Sequence, residues 1–284
     1  MKIKDILING ITILKNSNIE DANMKARIVL AELLNKSKEY LMVHDEDEVP
    51  EGINRIFLEK IERLKNHEPL QYVTNKQEFM GFELYIDNNV LIPQPDTENV
   101  VEEVIYVADK IREEDENKEL RILDLCTGSG AIAIAISKLL KKTLVYASDV
   151  SKEALKIAEE NSSRNQANIL FFESDLFKKI SKLYKFDIIV SNPPYIEKNV
   201  IKTLSEEVKR EPILALDGGE DGLKFYRKII NEAKEYLNEN GYLIFEIGYN
   251  QREAVEKLFK ECGYKNIYSR KDLSGNDRIV IAQI

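Results

Sequence analysis

Cysteine, histidine and tryptophan are scarce in this chain: its 284 residues hold two Cys, two His and no Trp. Cys126 and Cys262 cannot make a disulfide scaffold, and two histidines leave little from which to build a zinc site, so no metal is expected. No stretch reaches the roughly 18 unbroken apolar residues of a membrane span, and the opening Met1-Lys2-Ile3-Lys4-Asp5 lacks the apolar run of a secretory signal. The expected location is cytoplasmic, with no membrane partner. Positive charge is also short, 41 Lys and Arg against 50 Asp and Glu for a net charge of -9. Without a locally basic face such a chain repels a phosphate backbone, so no direct nucleic-acid partner is expected. What is present, 43% apolar residues with 8% aromatics, can build packed cores. The length suits one large or two ordinary domains.

Residues 1–75 read as a bundle of short helices. Ala22, Ala26, Val29, Leu30, Leu33 and Leu34 recur at three- and four-residue steps, and Ile53, Ile56, Phe57, Ile61 and Leu64 repeat the pattern. With 13 acidic and 11 basic side chains this region has no basic field to grip phosphates. Residues 76–92 change period: Phe79, Phe82, Leu84, Ile86, Val90 and Ile92, with Gly81 and the turn pair Asn88-Asn89, predict a hairpin linker acting as a hinge. A helix is expected to start at Pro93-Gln94-Pro95-Asp96-Thr97. From Arg121 on, apolar runs at 122–125, 144–147, 169–172, 186–190 and 242–247 alternate mostly with helical patterns, the mark of parallel strands with crossover helices. Segments near 265–270 and 278–283 predict a closing antiparallel hairpin. The fold class is therefore α/β, a mostly parallel sheet in residues 93–284 behind a small N-terminal helical domain.

The first strand of that sheet runs into Asp124-Leu125-Cys126-Thr127-Gly128-Ser129-Gly130, and a helix follows. Glycines there let backbone N–H groups approach a ligand, and the helix N-terminus favours a carboxylate or phosphate. Gly128, Gly130 and Ala133 satisfy Gly-x-Gly-x-x-Gly/Ala, and Asp149 stands 21 residues after Gly128, where an acid can accept both ribose hydroxyls. A plain strand–helix turn with a capping Asp would look the same. The pattern does not choose between NAD and S-adenosylmethionine, since each carries an adenosine ribose and an anionic group. Cys126 reads as a small apolar spacer rather than a reactive thiol. Asp175 could accept the adenine amino group or cap a helix, and Leu176 could cover the base or fill the core.

The fourth strand leads into Asn192-Pro193-Pro194-Tyr195, a tetrapeptide expected by chance in about one chain in a thousand of this length. Consecutive prolines end a strand abruptly, with carbonyl groups turned into the crevice at the carboxyl ends of the parallel strands. A primary amide or exocyclic amine offers two N–H groups, and the Asn192 side-chain oxygen and Pro193 carbonyl can accept one each. Two acceptors repel a carboxylate, so Gln is the expected acceptor and Glu is refused. Tyr195 is expected to pack over the substrate's flat group. A rigid strand-ending turn with a buried Tyr is the plainer reading.

With Asp124–Gly130, Asp149 and Asn192–Tyr195 in this order, the chain resembles the Rossmann-like amino-methyltransferases, and most closely the peptide-chain release factor N5-glutamine methyltransferases. The resemblance runs through Glu68-Pro69-Leu70-Gln71-Tyr72, Glu78-Phe79-Met80-Gly81, Val90 to Glu98, Glu211-Pro212, Ala215-Leu216-Asp217-Gly218-Gly219, Glu246-Ile247-Gly248 and Asp272 to Arg278. Asn-Pro-Pro-Tyr alone is shared with DNA adenine and RNA guanine methyltransferases. The family implies an enzyme that moves a methyl group from S-adenosylmethionine to the glutamine amide of the Gly-Gly-Gln motif in class I release factors, with the helical domain helping to hold the factor. By position, Cys126, Thr127, Gly128, Ser129 and Gly130 line the methionine end, Asp149 takes the ribose, Leu176 adjoins adenine, and Asn192, Pro193, Pro194 and Tyr195 hold the glutamine. Gln94 and Asp96 stand where the family usually has Arg and Glu, and Asn75 where it often has Gly. Gln94 supplies no cation.

Three other readings compete. A nucleic-acid amino-methyltransferase is chemically close but needs a basic groove. A nicotinamide oxidoreductase fits the glycine pattern and leaves Asn-Pro-Pro-Tyr unexplained. A cofactor-binding module that only docks on another protein leaves Asn192 and Pro193 without a purpose.

Overall fold

Helical spacing of apolar residues in the first 76 positions is realised as five helices: α1 (Ile3–Asn16), α2 (Ala22–Leu34), α3 (Lys38–Val43), α4 (Ile53–Lys65) and α5 (Leu70–Thr74). The computed structural model describes residues 1–113 and 115–284. Ile6, Leu14, Val29, Leu30, Leu41, Phe57 and Ile61 close into one core, which no single amphipathic helix could bury alone. Asn75 ends α5 at φ 58°, a left-handed position that Asn tolerates and Gly favours.

This compact unit comprises Met1–Lys76 together with Ser205–Arg210. Sequence reading had assigned residues 205–210 to the segment 93–284. The reason for the difference is electrostatic. Lys25 is only 8% exposed, a costly place for a cation, and its Nζ meets Glu207 Oε1 at 2.5 Å. Arg210 Nη2 donates to the Asn66 carbonyl at 2.9 Å.

The second unit, Gln77–Leu204 with Glu211–Ile284, carries the sheet. A separate two-stranded sheet comes first, β1 (Lys76–Phe79) and β2 (Phe82–Tyr85). Its turn is Met80-Gly81, at φ 51° and 78°, and not Asn88-Asn89. A two-residue hairpin needs left-handed backbone at both central positions, which Gly81 adopts freely. Asn89 instead folds back on Asp87, its N–H donating to Oδ1 at 2.9 Å.

A 3-10 turn at Pro95–Thr97 opens α6 (Glu98–Arg112). Then follow β3 (Leu120–Leu125), α7 (Ala131–Leu139), β4 (Thr143–Asp149), α8 (Lys152–Arg164), β5 (Ile169–Glu173) and β6 (Phe186–Ser191). Short helices α9 (Lys198–Ile201) and α10 (Ile213–Leu216) precede α11 (Lys224–Ala233), β7 (Leu237–Glu246), α12 (Arg252–Glu261), β8 (Lys265–Lys271) and β9 (Asp277–Gln283). The sheet order is β5-β4-β3-β6-β7-β9-β8, parallel from β5 to β7 and antiparallel in the last two pairings. Strands buried on both faces tend to read as apolar runs; β6 is buried at all six residues, and its apolar run Ile188-Ile189-Val190 is flanked by buried Asp187 and Ser191.

Chain order reverses at β3, the switch point beside which an open α/β sheet leaves a crevice. Register then places the chemistry. Leu125 pairs with Ser148 on one side and with Ser191 on the other, so the next residues along each chain, Cys126, Asp149 and Asn192, emerge side by side. Ser191 pairs with Phe245, and Glu246 pairs with Ile279. Asn192, Glu246 and Arg278 therefore gather at the same end.

Candidate active site

One cavity of about 540 Å³ opens at the carboxyl ends of β3, β4, β5 and β6. On the side of β3 to β5 it is lined by Cys126, Gly128, Ser148, Asp149, Asp175 and Leu176. From β6 it takes Asn192 and Pro194. The segments 88–91 and 212–215 add to the wall, as do Lys224, Phe225 and Lys228 of α11, and the first two are tied together: Glu211 Oε2 accepts the Ile92 N–H at 3.0 Å. Burial pushes the Glu211 carboxyl up to about 7.

The glycine turn is held from beneath. Asp124, fully buried, accepts the Thr127 hydroxyl at 2.6 Å, and burial pushes its carboxyl up to about 7. Ser129 offers its carbonyl to Asn161 Nδ2 at 3.0 Å. Thr127, Ser129 and Gly130 thus shape the turn, while Cys126 and Gly128 form its cavity surface. Gly128 sits at φ 56° with open space where a side chain would begin, so backbone is bared to the cavity. Cys126 is left-handed too, at φ 61°, and burial, then the Asp149 carboxylate, raises its thiol and keeps it neutral.

Asp149 Oδ2 accepts the Gly128 N–H and Oδ1 the Ser151 N–H, each at 2.9 Å. Burial raises this carboxyl and those two donors oppose the rise. A carboxylate has about four acceptor positions, and with the Val150 N–H also bearing on it, acceptor capacity still remains for a ligand. Asp175 carries a 2.5 Å ion pair to Lys178, which lowers its carboxyl, and Leu176 lies buried at φ 52° against the sheet core while still reaching the cavity.

Across the cavity, Asn192 Nδ2 donates to Thr97 Oγ1 at 3.3 Å, and Thr97 Oγ1 donates to Glu246 Oε2 at 2.6 Å. Tyr195 lies outside the cavity lining. Its hydroxyl donates to Glu246 Oε1 at 3.3 Å, because a half-buried phenol needs a partner and this carboxylate is the one in reach. Its carbonyl accepts Gln251 Nε2 at 2.9 Å. Pro193 is buried and, unlike Asn192 and Pro194, is not part of the cavity lining. Gly218 and Gly222 press on the Tyr195 backbone so closely that added side chains would meet it at 2.7 and 2.4 Å. The Ala215–Gly219 motif is the clamp on the exit from Asn-Pro-Pro-Tyr. Burial pushes the Glu246 carboxyl up to about 7. Asp96, at the position lacking the usual Glu, pairs with Arg278 at 3.0 Å, and Arg278 also holds Asp272 at 3.0 Å, so the loop does make a charge contact without a cation at Gln94.

Comparison with known proteins gives this geometry a lineage. Residues 108–216 match the Methyltransferase small domain and residues 5–74 the PrmC N-terminal domain. A release factor glutamine methyltransferase of Clostridium acetobutylicum is 38% identical over 99% of this chain and 98% of its own. The chain belongs to the release factor glutamine methyltransferase family. Another such methyltransferase, from Fusobacterium nucleatum, is 39% identical over 98% of this chain and 78% of its own length. Among solved structures, the hMettl16 catalytic domain in complex with an RNA hairpin aligns with a TM-score of 0.58 at 16% identity, over 76% of this chain and 82% of that one, which establishes the shared fold alone.

Within this methyltransferase family member, sequence reasoning missed the parts that only the folded sheet assembles. Thr97 and Glu246 are one example. Asn161 is another: fully buried on α8, it holds both the N–H and the carbonyl of Tyr85 as well as the Ser129 carbonyl. The usable signal for Asn161 was a polar residue on the apolar face of an amphipathic helix, beside Ala154, Leu155, Ile157 and Ala158. Among the described residues no group of three or more His, Cys, Asp or Glu is placed to hold a metal ion, and no helix is long and apolar enough to cross a membrane.

Proposed function

We propose that this protein methylates the side-chain amide nitrogen of the glutamine in the Gly-Gly-Gln motif of class I peptide-chain release factors, using S-adenosylmethionine, in the cytoplasm. The observation that carries the reading is that a single cavity is walled by Gly128, Asp149, Asp175 and Leu176 on one side and Asn192 on the other. Family membership supports the same activity.

The residues fit the cofactor. Asp149 has acceptor capacity left for a ribose diol, the Gly128 backbone is bared, Leu176 offers an apolar face, and buried Ser148 Oγ has no hydrogen-bond partner among the described residues. When bound there, S-adenosylmethionine supplies a methyl group on a positively charged sulfur. Asn192 and Pro193 do the rest. The Asn192 Oδ1 and the Pro193 carbonyl each accept one N–H of the substrate amide, which fixes the nitrogen in plane and aims its lone pair at the donor side. Positioning of this kind lowers a barrier by up to about 7–11 kcal/mol, against about 0.5–1.5 kcal/mol net for one neutral hydrogen bond. Geometry therefore outweighs bonding strength here. Two acceptors also turn away a glutamate carboxylate. Cys126 stays neutral and spectating.

The test incubates purified protein with methyl-labelled S-adenosylmethionine and a release factor, next to the same factor with Gln→Ala in its Gly-Gly-Gln loop. Label on the first and none on the second is expected. Label on both, or on neither, overturns the reading.

A further inference from the structure

A side-chain amide has nearly the same shape either way round, so packing alone does not decide whether Asn192 shows the cavity its oxygen or its NH2. Counting protons does. Thr97 has one hydroxyl proton, and Glu246 Oε2, at 2.6 Å, is a carboxylate oxygen that can only accept it. With that proton committed, Thr97 Oγ1 has only lone pairs to offer Asn192. The Asn192 NH2 must face it, at 3.3 Å, and Oδ1 is left free on the other side. Neither Thr97 nor Glu246 lines the cavity, and both are buried.

We propose that Thr97 and Glu246 are positioning residues that lock the Asn192 amide with its oxygen toward the methyl-acceptor site, so that the enzyme presents two acceptors to the substrate amide. The inference rests on the reading of Asn192 given under Proposed function. Glu246 is itself held in place: Tyr195 donates to Oε1, the Tyr226 hydroxyl donates to the Glu246 backbone carbonyl at 2.9 Å, and Arg278 and Asp96 are the charged groups that act on it. The relay has a second state. A proton on Glu246 makes it a donor to Thr97, which releases the Thr97 proton toward Asn192, and the amide must then turn its oxygen inward. The acceptor aimed at the substrate is lost. Burial places this protonation near neutrality, with the Glu246 carboxyl at about 7, so the locked state gives way as pH falls through that value.

The experiment measures kcat and KM for the release factor, and cofactor affinity by calorimetry, in Thr97→Val, Thr97→Ser and Glu246→Gln. Thr97→Val keeps shape and removes the relay, and is expected to lower kcat about 10- to 100-fold with KM and cofactor Kd changed less than about threefold. Thr97→Ser is expected to recover to within about fivefold of wild type. Wild-type kcat is expected to fall below pH 7, whereas Glu246→Gln, which has no proton to gain, gives a lower but flat profile. Wild-type kcat in Thr97→Val, a serine variant as slow as the valine one, or an unchanged acid limb in Glu246→Gln overturns the proposal. If Thr97→Val fails to melt cooperatively, the serine variant and the pH profiles decide. Full activity in Asn192→Ala sinks the underlying function instead, whereas an inactive Asn192→Ala beside a fully active Thr97→Val sinks this inference alone.

Discussion

The two sides of the cavity are built on different principles. Around β3 and β4, the cavity surface relies on backbone: Asp149 is held by two main-chain N–H groups and Gly128 bares its main chain, while the side chains of Asp124, Thr127 and Asn161 brace the turn from beneath. Around β6 and β7, they are fixed through side chains, in a run from Asn192 through Thr97 and Glu246 to Tyr195. A backbone-built site tolerates sequence change as long as the turn survives. A side-chain relay fails at any link, and it can respond to pH.

The sharpest way to probe that contrast is Asn192→Ala, expected to lower turnover about 100-fold or more while cofactor Kd stays within about threefold, by labelled transfer and calorimetry. Asp149→Ala should do the converse. Loss of two hydrogen bonds to a charged acceptor weakens cofactor binding by about 100-fold or more, with kcat at saturating cofactor close to wild type. If both variants lost both properties equally, the two sides would not be separable.

Next in size is Gly222→Ala. A methyl group there meets the Tyr195 carbonyl oxygen at 2.4 Å and sits on backbone at φ 69°, so unfolding in urea should show a loss of about 1–3 kcal/mol. Calorimetry on the folded fraction should show cofactor affinity intact, because the damage falls on the side-chain-built side.

The last effect concerns the tie between the wall segments 88–91 and 212–215. The Glu211 carboxyl has a folded value of about 7 against an ordinary 4.5, so between those pH values the folded protein keeps a proton that the unfolded chain has released. Its contribution to stability therefore falls as pH rises through that window and stays low above it. Glu211→Gln keeps an acceptor for the Ile92 N–H and removes the ionisation. It should be about 3 kcal/mol more stable than wild type at pH 8 and no more stable at pH 4.5, by denaturant titration at both values.

The same contrast explains what could be read before folding. The glycine turn, Asp149 and Asn-Pro-Pro-Tyr are each local: a few adjacent residues, or one strand-helix-strand spacing, carry the whole signal. Six of the seven sheet strands were legible for the same reason, since each holds a short apolar run, whereas β8, Lys265–Lys271, is largely polar and was legible only beside β9. The relay was not legible, because residues 97, 192 and 246 meet only when the sheet order puts β6 beside β7 and pairs Ser191 with Phe245. Glu207 beside Lys25 was hidden in the same way by a separation of 182 positions. The misplaced hairpin turn has another cause. Asn88-Asn89 is the stronger turn dipeptide on composition, but Met80-Gly81 has strands of matching length on both sides.

Strand order turns back at β3 while the strands stay parallel, so Gly128, Asp149, Asp175 and Leu176 all precede residue 177 and Asn-Pro-Pro-Tyr follows residue 191. Thr97 breaks that division, since it lies in the first stretch and holds Asn192 of the second. A chimaera spliced in the loop between β5 and β6 would therefore need the threonine from one parent matched to the asparagine it receives from the other.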